Sequence, residues 1–190
     1  MATHDTIGDG SWIVTFKAPK EILPVFKETW DLHPPERETI TLFGKTHEVP
    51  RWHRAYLKDY SFSGKNHKTF EETPEPFQKV LKFFQESVSE KLNGILVNWY
   101  EPLDHIGMHS DDEHDLKKGE PIITLVLMED PQATRTFRLV PKGEGVQKNY
   151  ELGHGDVLIM GGNTQSTHKH GVPVRKRNTS KRISITFRCF

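Results

Sequence analysis

Apolar residues recur along this chain with two different periods, and the change between them divides it. SWIVTF (Ser11–Phe16) alternates and predicts a first strand. A helix is predicted from about Pro19, with proline in the first turn where its missing N–H does no harm. Short strands are expected around Thr39–Phe43, His47–Trp52 and Ala55–Tyr60. The clearest helix is Pro76–Leu92, where Phe77, Val80, Leu81, Phe84, Val88 and Leu92 share one face and Asn93-Gly94 ends it. That stripe reads as core packing. After Gly94 the period falls to two. ILVNWY, PIITLVLM, TRTFRLV, GDVLIM and RISITF are short β-rich runs separated by Gly, Pro, Asn and Asp clusters. The fold class that follows is α+β and mainly β, an antiparallel sandwich or jelly roll over 95–190 behind an α/β part over 1–94. No repeat, low-complexity segment or linker interrupts it, so 1–190 is expected to be one domain.

Composition narrows the chemistry. The chain has 190 residues, 11 of them His, and a single cysteine, Cys189. One cysteine excludes an internal disulfide and a Cys-rich zinc site, so any metal must use His and carboxylate. No apolar run approaches the roughly 18 residues of a membrane span. MATHDTIGDG lacks a basic segment followed by an apolar one, so no signal peptide is expected. A reducing location, nucleus or cytoplasm rather than secretion, is the expectation. The net charge of zero hides an asymmetry: residues 131–190 carry 11 Lys and Arg against 3 Asp and Glu. Such a basic third can face a polyanion, or its charges can cancel on the folded surface.

Two short segments carry metal-ligand spacing. In GMHSDDE, His109 and Asp111 are two apart, which puts both on one face of a strand. In STHKHGVP, His168 and His170 are two apart as well. Two imidazoles and one carboxylate make the facial set that leaves positions open on Fe(II) for a bidentate cosubstrate and oxygen. An isolated H-x-D in a His-rich chain is more often surface decoration, so the setting has to decide. A helical pairing of His105 with His109 is disfavoured by Gly107 and Pro102. The last strand adds Arg182, Ser184, Thr186 and Arg188 on one face, opposite Ile183, Ile185 and Phe187. An arginine inside a cavity is costly unless it meets an anion, and its planar fork matches a carboxylate. Asn98 and Tyr100 share a face in ILVNWYE. These groups can hold a dicarboxylate beside the metal, or they can be the wet side of edge strands.

Taken in order, NWYEPLDHIGMHSDDE, GDVLIMGG, HKHGVPVRK and RISITFR resemble the AlkB family of alkylation-repair dioxygenases, from about Leu42 to Phe190. FGKTHEVPRW and YSFSG add a likeness to its eukaryotic nuclear DNA-repair members. The resemblance implies a double-stranded β-helix core with an N-terminal nucleotide-recognition part, and Fe(II), 2-oxoglutarate and O2 as cofactors. It assigns His109, Asp111 and His170 to iron, His170 being preferred over His168 because it directly precedes Gly-Val-Pro. It assigns Asn98, Tyr100, Arg182 and Arg188 to 2-oxoglutarate, Arg182 to the distal carboxylate. Ser184 is a departure, since the family usually has Asn there; serine still donates and accepts one hydrogen bond but is shorter.

The implied reaction is oxidative demethylation of N-alkylated bases such as 1-methyladenine and 3-methylcytosine, releasing formaldehyde while 2-oxoglutarate becomes succinate and CO2. A base in a stacked duplex must first be flipped out. By the same resemblance Tyr60 and Phe62 would grip the flipped base against His109, and Asp112 and Glu113 would read its edge. Leu42, Phe43 and Gly44 match an apolar finger that enters the base stack. Arg175, Lys176 and Arg177 would meet phosphates. The expected partner is alkylated DNA or RNA, with no membrane, and the expected state is a monomer. The alternatives are an oxygenase of the same chemistry acting on protein or a small molecule, and a jelly-roll binding module without catalysis.

Overall fold

The computed structural model describes residues 2–42, 44–62, 65–67, 72–177 and 180–190, apart from the side chains of 42, 60–62 and 65–67. In chain order, β1 (Thr3–Gly8) and β2 (Ser11–Lys17) form a hairpin turned through Asp9 and Gly10, both at positive φ. A 3-10 turn at Lys20–Ile22 and the short helix α1 (Phe26–Trp30) precede a hairpin of β3 (Thr39–Leu42) and β4 (Lys45–Glu48). Next come β5 (Trp52–Tyr56) and a second hairpin, β6 (Tyr60–Phe62) with β7 (Lys65–His67). Helix α2 (Glu75–Ser87) leads into β8 (Gly94–Tyr100), β9 (Ile106–His109), β10 (Ile122–Met128) and β11 (Thr134–Pro141). The chain then closes with β12 (Lys148–Gly153), β13 (Asp156–Gly162), the single turn α3 (Thr164–Thr167), β14 (His168–Val172) and β15 (Arg182–Arg188).

The strands build a seven-stranded sheet, β1-β2-β13-β10-β15-β8-β5, and a four-stranded sheet, β12-β11-β14-β9, all antiparallel. Facing each other, they make the expected jelly roll. In the large sheet β8, β10 and β15 are buried at every position, yet their two faces differ. One face presents Val97, Trp99, Leu125, Ile183, Ile185 and Phe187, which pack with Phe77, Val80, Leu81 and Phe84 of α2. Each such side chain contributes about 1.5–3 kcal/mol on burial, so this layer carries much of the stability. The other face looks into the sandwich. Toward β13 it is apolar, with Ile122, Val126, Met128, Leu158 and Met160 meeting Phe137, Leu139 and Leu152 of the small sheet. Toward β8 and β15 it becomes polar, and a cavity opens there. No helix among the described residues is long and apolar enough to cross a membrane.

Several predicted elements shift for physical reasons. The helix expected from Pro19 breaks into a 3-10 turn and α1, because Leu23 precedes Pro24 and is extended at φ −70° and ψ 123°. Helix α2 stops at Ser87 rather than Leu92; Val88 leaves helical geometry, and Gln85 Nε2 donates to the Leu92 carbonyl at 2.7 Å. Leu92 keeps its place in the core all the same. The strand expected over His47–Trp52 is cut at Val49-Pro50, since proline has no N–H for a ladder. The run Ala55–Tyr60 ends at Tyr56, and Leu57 follows at φ 70°. β1, β9 and β12 were not expected from hydrophobic pattern; β1 has no buried residue, and β12 mixes exposed Asn149 and Glu151 with half-buried and buried positions.

Candidate metal centre and cosubstrate cavity

The small sheet and the loop after β9 bring His109, Asp111 and His170 together. His109 closes β9 and pairs directly with His170 on β14, their rings 4.3 Å apart. Asp111 does not lie on the strand as the two-residue spacing suggested. β9 ends at His109, and Asp111 reaches the same point from the loop, its N–H donating to Gln165 Oε1 at 2.9 Å. Asp111 Oδ1 stands 3.5 Å from His109 Nε2 and 3.9 Å from His170 Nε2, and one ligand atom from each residue lies within 4.8 Å of the others. Ligands bonded to one ion at about 2.0–2.2 Å lie no more than about 4 Å apart, so a small closure would complete the set. The Gly107 carbonyl accepts from His109 Nδ1 at 2.9 Å in the tautomer that leaves Nε2 free for a metal. Phe137 stacks on the His170 ring at 5.3 Å and holds its plane. His168 sits elsewhere, its Nδ1 2.7 Å from Thr167 Oγ1, beside Ile7, Asp9 and Lys148. Two nitrogens and one carboxylate, with no thiolate near, fit Fe(II).

Charge around the three is arranged to keep them in ligating form. Burial opposes ionisation of Asp111, but Arg188, His109 and His170 outweigh it and hold its carboxyl well below the ordinary range. Arg188 Nη2 meets Asp111 Oδ2 at 2.9 Å, and Nη1 meets Glu113 Oε1 at 2.8 Å. Burial, helped by the Asp111 charge, raises Glu113 even though Arg188 opposes it. Burial pushes His170 down to about 3 despite Asp111, so the ring stays neutral in the fold. The unfolded chain takes up a proton near 6.5 while the native ring does not, so His170 favours unfolding as pH falls. The metal-free protein is therefore expected to lose stability below about pH 6.5, this residue adding at most about 1.4 kcal/mol per pH unit. Urea midpoints at pH 7.5 and 5.5, for the wild type and His170→Gln, check this; an equal slope in both would remove His170 as the source.

Antiparallel register sets the rest of the cavity. On β15 and β8, Arg182 faces Tyr100 and Ser184 faces Asn98, so four expected residues line one inner face. Arg182 is 1% exposed, lies over the Tyr100 ring at 5.2 Å, and has no hydrogen-bond partner for Nε and Nη1 among the described residues. Burial lowers it to about 10, with Tyr100 opposing. Burying a cation with unpartnered donors is costly unless an anion meets it. Arg51 was not anticipated. It follows Pro50 in a loop without periodicity, yet it is 4% exposed, lines the cavity, and donates through Nε to Asn98 Oδ1 at 2.8 Å. Phe137 and Gln165 also escaped notice, since a ring against a ligand and a side chain on a ligand's N–H leave no mark in spacing.

The other expected residues, among those described, do not line this cavity. Asp112 is exposed, and Glu113 is half-buried with Oε2 lacking a partner among the described residues. Arg175 is tied to the small sheet, donating to the Thr134 carbonyl at 3.1 Å and pairing with Glu151 at 3.2 Å, while Lys176 and Arg177 are exposed. The backbones of Tyr60 and Phe62 lie in β6, but their side chains, and that of Leu42, fall outside the described residues, as does Phe43. Gly44 turns the β3–β4 hairpin at φ 75°, a conformation open to glycine at no steric cost.

Comparison with known proteins agrees with this site. The sequence matches the 2OG-Fe(II) oxygenase superfamily over residues 15–188. It is 34% identical over 165 residues to the DNA oxidative demethylase ALKBH2 of Mus musculus, covering 78% of this chain and 65% of that protein. It is 34% identical over 114 residues to the mouse alpha-ketoglutarate-dependent dioxygenase alkB homolog 3, covering 55% and 38%. The chain spans 56–65% of the length of the ALKBH2 relatives it matches. In fold it resembles OsALKBH1 with a TM-score of 0.61 at 17% identity, covering 99% of this chain and 100% of that one. A metal triad from β9, the loop after it and β14, a buried arginine on β15 and a family match across both sheets converge: the chain belongs to the 2OG-Fe(II) oxygenase superfamily and, within it, to the AlkB family, whose cofactors are Fe(II), 2-oxoglutarate and O2.

Proposed function

We propose that this chain is a dioxygenase that oxidatively demethylates N-alkylated bases, 1-methyladenine and 3-methylcytosine among them, in DNA or RNA. The observation that carries it is Arg182, buried with two guanidinium nitrogens unpartnered among the described residues, in the cavity that also holds the His109, Asp111 and His170 triad. His109, Asp111 and His170 would hold iron. Arg182, with Tyr100 beside it, would bind the distal carboxylate of 2-oxoglutarate, and Asn98 and Ser184 would line its chain. Arg188 would bind near the cosubstrate's metal end while keeping Asp111 and Glu113 in place. Iron with 2-oxoglutarate and O2 supplies the oxidation: one oxygen atom enters the N-methyl group, which leaves as formaldehyde, and the other enters succinate as CO2 departs.

The protein's share is to present the methyl group and exclude water. Glu113, with one oxygen fixed by Arg188 and the other without a partner among the described residues, would accept from an amino group on the base edge. Tyr60 and Phe62 on β6 would cover the base opposite His109, and Asp112 would stand at its rim. The turn after Leu42, with Phe43 and Gly44, would enter the duplex where the base leaves it. Lys176 and Arg177, with Arg175, would follow the backbone phosphates. The likeness to a mouse DNA oxidative demethylase supports a nucleic-acid substrate. A free buried thiol at Cys189 suits the nucleus or cytoplasm.

Formaldehyde release from matched single- and double-stranded 1-methyladenine oligonucleotides tests this, with iron and 2-oxoglutarate each added or withheld. Release is expected only with both. Succinate formed without formaldehyde from any oligonucleotide would point to a protein or small-molecule substrate, and no succinate at all to a binding module.

A further inference from the structure

Among the described side chains of the β3–β4 hairpin none is buried, and only Ile40 is half-buried. All four residues of β4 are exposed, and a two-stranded hairpin alone is at best marginally stable in water. Its orientation must be set at its base, and the base is clamped. Arg37, just before β3, donates both terminal nitrogens to Asp104, at 2.9 Å to Oδ1 and 2.6 Å to Oδ2. The guanidinium lies over the Trp52 ring at 4.1 Å, so its plane is fixed. Asp104 is equally constrained: the Glu101 N–H donates to its Oδ2 at 2.7 Å, and buried Arg135 donates to its carbonyl at 2.8 Å. On the other side of the base, Val49 N–H donates to the Glu38 carbonyl and His105 N–H to the Pro50 carbonyl, at 2.7 and 3.2 Å. From His105 the chain runs straight into β9, which ends at His109.

We infer that Arg37 and Asp104 are positioning residues whose bidentate pair ties the β3–β4 hairpin to the strand carrying His109, and so sets the distance between the hairpin's turn and the metal centre. This rests on the proposed function, in which that turn enters a duplex while the extruded base reaches the metal. Planar fork against planar carboxylate transmits orientation as well as attraction, which a single ammonium contact does not. A single strand needs no wedge, so its turnover should be indifferent to the clamp.

Arg37→Ala and Arg37→Lys decide it, read by turnover on both oligonucleotides and by amide hydrogen exchange. For Arg37→Ala, duplex turnover is expected to fall about 10-fold or more while single-strand turnover stays within about two-fold, since misplacement by an ångström costs this much. Amides of residues 40–48 should exchange about 10-fold faster, with those of β9 and β14 unchanged. Arg37→Lys should fall between. A parallel loss on both substrates, or unchanged exchange in the hairpin, overturns the inference. A wild-type protein that releases no formaldehyde from either oligonucleotide sinks the proposed function instead, and hairpin exchange then decides the clamp alone.

Discussion

Asp111→Ala is expected to lower turnover by about 1,000-fold or more, because it removes the carboxylate of the metal set together with one of the two anions paired with Arg188. The effect on the metal-free fold should also be large. Arg188 is 3% exposed and shares its two terminal nitrogens between Asp111 and Glu113. Removing one partner of a buried pair costs about 3–5 kcal/mol when nothing replaces it. Here Glu113 remains, and the loss of Asp111 relieves the like charge that raises Glu113, so the lower end, about 3 kcal/mol, is expected. Asp111→Asn keeps the shape and should recover part of that stability without recovering iron. Anaerobic iron binding and urea unfolding separate the two effects. Stoichiometric iron in Asp111→Ala, with turnover within about 10-fold of wild type, would show that Asp111 is not a ligand.

Asp111 also marks how far the sequence could be read. The period of two in RISITF and ILVNWY put Arg182 with Ser184, and Asn98 with Tyr100, on shared faces, and the register of β15 with β8 brings those faces together. Alternation survives even where every residue is buried, because the face away from the cavity packs on α2 and the other lines the site. The H-x-D spacing named the right pair by a route the chain does not take, since β9 stops at His109 and the loop supplies Asp111. Arg51 was invisible because its partner Asn98 lies 47 positions away and no pattern links a loop after proline to a strand face. The same holds for Arg37 and Asp104, 67 positions apart. Strand β9 was missed as an element, although its ligand was not, because IGMH is only four residues long and holds a glycine. Local pattern reports which way a side chain points; long-range pairing between polar groups it does not report.

Arg182 supplies the second large effect, and its sign is unusual. With Nε and Nη1 unpartnered among the described residues at 1% exposure, the guanidinium is desolvated with only Tyr100 to offset the cost in part. Burial pulls it down to about 10, so the charged form is disfavoured there. Arg182→Met, close in volume and apolar, should therefore stabilise the metal-free protein by about 1–3 kcal/mol, the lost Tyr100 contact taking back part of the gain. The same change should raise the KM for 2-oxoglutarate about 100-fold or more, since two charge-assisted hydrogen bonds to a carboxylate contribute about 1.5–3 kcal/mol each. Wild-type protein should also gain thermal stability on adding 2-oxoglutarate with Mn(II) in place of iron, and the variant should not. A variant destabilised by more than about 2 kcal/mol, with its KM unchanged, would make Arg182 a structural residue after all. The expected pair of results, a firmer fold and an empty site, separates a side chain kept for its ligand from one kept for the core: only the former leaves two buried donors without partners until the ligand arrives.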